Sequence, residues 1–110
     1  MVTMDPFAMY QNIERHDELS SPEAEKAAND LCIEGRSFRS AVVIMNHGLL
    51  LLESMPGDYQ SRGVHFAGAN CGYDGQGVQA AAYILALFEF GNEDELFAKL
   101  KRTRSIEFLR

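Results

Sequence analysis

The stretch from Gly68 to Gly77, GANCGYDGQG, sets a thiol, an amide, a phenol and a carboxylate among four glycines. Two kinds of chemistry would use such a set. In one, Cys71 is a nucleophile: a thiolate is stabilised near a helix N-terminus, and His65 or His47 within hydrogen-bond reach would complete a Cys-His pair for a thiol enzyme. In the other, glycines let an anion approach backbone N–H groups at a helix N-terminus, and Asn70, Cys71, Tyr73, Asp74, Gly75 and Gly77 line a carboxylate, phosphate or small-ligand site. Both compete with a plainer reading. Asp74 can cap the following helix and occupy those donors, while Gly72, Gly75 and Gly77 take left-handed or close-approach positions. Cys71 stands several residues ahead of the first helical turn, and His47 sits in a turn where polar residues need no further reason.

Other chemistries fit less well. Residues 75–80, GQGVQA, match G-x-G-x-x-A, but the dinucleotide fingerprint needs a second strand and a ribose-binding carboxylate about twenty residues on, and here another helical pattern follows. No Lys-Ser or Lys-Thr follows the glycines, so a P-loop is excluded too. His16, His47, His65 and Cys71 lack the close spacing of metal ligands, and no metal or other cofactor is expected. A formal charge of −6 argues against a surface that tracks nucleic-acid phosphates. No signal-like segment opens the chain and no apolar run approaches the roughly 20 residues that span a bilayer, so a cytoplasmic protein without membrane contact is expected. Only Cys32 and Cys71 are present, too few for a disulfide framework, and both read as reduced thiols.

The elements that must position the glycine corner follow from periodicity. At 110 residues, 46% hydrophobic and 24% charged, the chain reads as one globular α+β domain over residues 1–110. Residues 1–20 read either as a loosely docked N-terminal arm or as a short helix begun by Asp5-Pro6. SPEAEKAANDLCIEG is better specified: Ser21 caps, Pro22 takes the first position, Gly35 stops the helix, and Ala24, Ala27, Ala28, Leu31 and Cys32 form one face. That stripe predicts a buried Cys32 and, by contrast, an accessible Cys71. Ala41–Met45, the turn Asn46-His47-Gly48 and Leu49–Leu52 read as a β-hairpin, and GVHFAGA as a third, weaker strand. Val78–Phe90 is an almost wholly apolar helix ended by Gly91. Asn92 then opens a last helix as a capping box with Glu95, and KLKRTR reads as its basic C-terminus.

The corner also resembles a small bacterial and phage family of unknown function, in which a strand runs into W-G-Y-x-G-x-G-P-x-x-L-A and an apolar helix. The matching residues are Gly72, Tyr73, Gly75 and Gly77, then Ala81 and Ile84-Leu85, so the likeness covers only the second half of the chain. Cys71 stands where that pattern has tryptophan and Val78 where it has proline. The resemblance implies a strand, a built corner and a helix; it implies no activity.

Together these readings give an α+β fold with a small three-stranded, mainly antiparallel sheet, packed against an N-terminal helix and two C-terminal helices. So small a sheet leaves edges open, and Leu49–Leu52 is the expected place for a second chain to pair. The function expected is a non-enzymatic interaction module that binds protein and forms a homodimer. The alternatives are ligand or anion binding at the 70–77 loop and thiol catalysis by Cys71.

Overall fold

The computed structural model describes residues 5–110. Eight elements follow one another: β1 (Asn12–His16), α1 (Ser21–Ile33), β2 (Ser40–Ile44), β3 (Gly48–Leu52), β4 (Arg62–Phe66), α2 (Gln76–Leu87), α3 (Glu93–Leu100) and β5 (Ser105–Leu109). The fold is α+β, but its sheet is five-stranded and mixed, in the order β1-β4-β3-β2-β5, rather than three-stranded. β1 runs parallel to β4, and the other neighbours are antiparallel. Two strands were missed for different reasons. β1 carries one apolar residue in NIERH and so has no pattern to read, and it is placed by backbone pairing. β5 does alternate, with Ile106 and Phe108 turned inward, but it lies directly behind a basic run that looks like the end of a helix. Of the expected N-terminal arm, residues 12–16 are strand β1 and residues 1–4 lie outside the described residues.

Local signals explain the helices. Ser20, one residue earlier than expected, caps α1 in a reciprocal box: its backbone N–H donates to Glu23 Oε1 (2.9 Å), and its hydroxyl accepts from the Glu23 N–H (3.4 Å). Ser21 instead donates to Gly68 O (2.8 Å), pinning the start of α1 to the glycine corner. Asn92 caps α3 by accepting from the N–H groups of Asp94 and Glu95. α2 ends earlier than its apolar run, at Leu87, and Glu89 turns the chain at φ 70°.

The three helices pack on one face of the sheet, where Ala41, Val43, Leu49, Leu51, Val64 and Phe66 meet Ala24, Ala28 and the buried residues of α2 and α3. The other face carries Val42, Leu50 and Leu52 and is covered in part by Phe7, with Tyr10 and Ile13 beside it. β3 lies in the middle of the sheet and all five of its residues are buried. Leu49–Leu52 therefore cannot receive a second chain; both its sides are already paired. Among the described residues no helix is long and apolar enough to cross a membrane.

Candidate functional site

The glycine corner is organised by its own hydrogen bonds. Asn70 turns its side chain inward, and Oδ1 accepts from the N–H groups of Asn46 (3.0 Å) and Cys71 (2.9 Å). Its own N–H donates to Gly77 O (2.8 Å), closing the loop onto the first turn of α2, while Gly72 N–H donates to Leu100 O (2.9 Å). The amide expected to face a ligand thus ties the hairpin turn to the corner, and Gly72 ties the corner to α3.

The three glycines divide between the two roles expected of them, a left-handed position and close approach, although the close neighbour is a side chain. Gly72 has φ 91°, the left-handed region, and a Cβ there would meet the Met45 side chain. Gly75 is extended, and Gly77 lies within α2. What confines these two is the ring of Tyr73, whose edge a Gly75 Cβ would meet at 3.0 Å and whose hydroxyl a Gly77 Cβ would strike. Asp74 is exposed and caps nothing: the N-cap of α2 is Gly75, with no side-chain acceptor on the first N–H groups.

The two thiols are placed opposite to expectation. Cys71 is buried in the helix-side core, where burial pushes its thiol up, whereas Cys32 is exposed. The cause is helical drift. At about 100° per residue, Leu31 lies about 20° from the direction of Ala24 and Cys32 about 80° away, outside the buried stripe. His65 lies on the other face of the sheet, with the edge of its ring 62° to Phe7 at a centroid distance of 5.2 Å. Its Nε2 donates to the backbone carbonyl of His47 (2.5 Å), and Nδ1 stands 3.3 Å from Asp17 Oδ1. The sheet separates Cys71 from His65, and the part of His47 that takes part is its carbonyl. No Cys-His pair is assembled.

None of the four clefts described on the surface of residues 5–110 is lined by a residue of the 70–77 loop. One of about 310 Å³ between the helices holds the carboxylates of Glu25, Glu93 and Asp94 beside Tyr83 and Phe97. Burial, and then repulsion from Glu93, raise the Glu25 carboxyl above its ordinary value. Tyr83 does not turn into it as a free donor, because its hydroxyl is given to Asn29 Oδ1 (2.8 Å). Among the described residues no three His, Cys, Asp or Glu side chains group to hold a metal ion.

Two further clefts flank β5, which no site reading of the sequence included. On the face opposite the helices a groove of about 300 Å³ runs between Phe7, Tyr10, Tyr59, Val42, Ile44 and Glu107. On the helix side a smaller cleft of about 190 Å³ lies between Phe90, Leu96 and Phe108, with Glu95 and Lys99 at its rim. Between them runs the outer edge of β5. Leu109, 61% exposed, stands on the groove face of this edge. The alternation of SIEFL was the readable signal for it. No family model, no curated protein and no solved structure matches this chain.

Proposed function

We propose that this protein is a non-enzymatic interaction module that associates with a second copy of itself through the open β5 side of its sheet. One observation carries the reading: β5 is an edge strand with alternating apolar residues, and it lies between two clefts, one on each face of the sheet. Strand addition at such an edge supplies main-chain hydrogen bonds, and pockets for alternate side chains supply selectivity. The surroundings of Cys71 favour binding over catalysis, since a buried thiol with a raised pKa and no imidazole beside it is a poor nucleophile. The likeness of the Gly72–Leu85 stretch to the G-Y-x-G-x-G family belongs to the same proposal; what supports it is that Gly72 and the Tyr73-covered glycines have a structural reason to be glycine.

Sedimentation equilibrium tests the reading. The expected outcome is a concentration-dependent shift from monomer to dimer mass across the micromolar range. A monomer at every concentration would overturn it.

A further inference from the structure

Resting on that reading, we infer that two copies join by antiparallel β5–β5 pairing about a two-fold axis at Phe108, extending the five strands of each copy into one continuous sheet. The backbone of β5 sets the terms. Met45 N–H donates to Arg104 O (2.8 Å) and Arg110 N–H donates to Arg39 O (2.9 Å), at the two ends of the β2–β5 ladder. Because antiparallel bonding alternates residue by residue, the even-numbered residues turn their backbone groups toward β2, and Ser105, Glu107 and Leu109 turn theirs outward. A second β5 can therefore pair only in registers that set odd residues opposite odd ones.

Overlap and charge select among these registers, since centring on Ser105 or Leu109 overlaps the two strands at one residue only. Centred on Glu107, the pairing sets Glu107 against the partner's Glu107 and Arg104 against the partner's Arg110. Like charges directly opposite are destabilising. Centred on Ile106, the pairing overlaps Ser105–Glu107 only and leaves Phe108 and Leu109 opposite Arg104 and Thr103, ahead of the partner's strand. Centred on Phe108, no like charges face each other: Ile106 lies beside the stem of the partner's Arg110, and Glu107 beside the partner's Leu109. Glu107 and Leu109 then exchange N–H and C=O groups in both symmetry-related positions. Phe108 meets the partner's Phe108 in a pair of the closer, non-hydrogen-bonded kind, where cross-strand aromatic contact is strongest.

The same register puts Phe108 and Leu109 beside clefts. On the helix side, the partner's Phe108 comes next to the cleft that Phe90, Leu96 and Phe108 line. On the opposite face, the partner's Leu109 comes next to Glu107 at the margin of the groove beneath Phe7 and Tyr59. This accounts for a leucine left 61% exposed on the edge of a sheet.

Cysteine cross-linking on a Cys32→Ser background tests the register, since Cys71 is buried. A non-hydrogen-bonded antiparallel pair holds its Cα atoms about 4.5 Å apart, within disulfide range, so Phe108→Cys should form a covalent dimer under mild oxidation and Glu107→Cys should not. The double variant Glu107→Cys/Leu109→Cys, at exposed positions, should cross-link even if Phe108→Cys folds poorly. Leu109→Pro removes one outward N–H per copy and leaves the β2 ladder intact, so association should weaken roughly tenfold or more with little change in monomer melting. Cross-linking of Glu107→Cys alone would overturn this register. A dimer that none of the first and third cysteine variants cross-links would place the interface elsewhere and overturn the inference while leaving self-association standing; a monomer throughout would overturn both.

Discussion

The sheet has two outer edges, and they are built on opposite principles. β1 is polar: Asn12, Glu14, Arg15 and His16 surround the single apolar Ile13. Side chains and neighbouring backbone tie it down from several directions. Arg15 reaches Asp5 Oδ2 (3.1 Å) and Phe7 O (3.0 Å), Arg36 reaches Glu14 (3.1 Å), Asn12 donates to Gln60 O (2.9 Å), and Gln11 N–H to Tyr59 O (3.1 Å). β5 is apolar on alternate positions and is anchored chiefly at its end, where Arg110 donates to Phe38 O (3.0 Å) and pairs with Glu89 (3.0 Å). Charges along an edge discourage a foreign strand, and an alternating apolar edge invites one. The difference shows that an edge can be fastened to its own sheet by polar ties and still be closed to others, or held by its pattern and left open.

If the β1 side is fastened through the segment before it, removing its apolar anchor should have the largest effect. Phe7 is 1% exposed and fills the face that the helices leave uncovered, against His65. Phe7→Ala should destabilise by about 3 kcal/mol or more in urea unfolding, as for other buried Phe to Ala changes. Hydrogen exchange should then speed at β1 more than at β5. Equal loss at the two edges would break the comparison, because it would mean that the edges respond as one unit.

The elements legible in the sequence were those whose local signals agree with their packing. The hairpin is one: Ala41–Ile44 and Leu49–Leu52 are strands, and Asn46 and Gly48 turn the chain at φ 70° and 99°. All three helices are marked in the sequence, but only α1 and α3 by capping residues; α2 has no side-chain cap and ends three residues before its apolar run does. β1 was hidden because what holds it is backbone pairing and distant charged partners, neither of which leaves a periodic trace. β5 was hidden behind Lys99-Leu100-Lys101-Arg102, which serves as a helix end and masks the strand after it. In the corner Asn70, and not Asp74, organises the turn, and of the three glycines expected at left-handed or close-approach positions Gly72 supplies the positive φ while Gly75 and Gly77 lie against Tyr73. Composition marks a corner; which of its residues faces inward depends on contacts with Met45, Asn46 and Leu100 that lie far off in sequence.

A smaller effect sharpens the comparison at β1 itself. Arg36 bridges Glu14 of β1 and Glu53 beyond β3, at 3.1 and 3.2 Å, with its side chain 20% exposed. Arg36→Met keeps the apolar stem and removes the fork. Since both carboxylates remain in contact with water, the loss should be about 1 kcal/mol, falling further in high salt. Hydrogen exchange should localise it to β1; a change confined to β5 would contradict the polar fastening of the first edge.

The smallest effect belongs to β5, and it should have the opposite sign. Glu89 holds a left-handed φ of 70° after α2, a conformation that strains a residue with a Cβ and that glycine adopts freely. Its carboxylate pairs with Arg110 at the end of β5, but the side chain is 76% exposed, where an ion pair contributes at most about 1 kcal/mol and often much less. Glu89→Gly therefore exchanges a weak, salt-screened contact for relief of backbone strain, offset in part by the extra freedom of glycine in the unfolded chain. A net gain of about 0.5 kcal/mol is expected, while Glu89→Ala, which loses the contact and keeps the strain, should be neutral or slightly destabilising. Urea midpoints of the two variants measured together decide it. If glycine destabilised more than alanine, the Glu89–Arg110 contact could not explain the difference, since both variants lack it, and the left-handed turn after α2 would have to be unstrained as it stands.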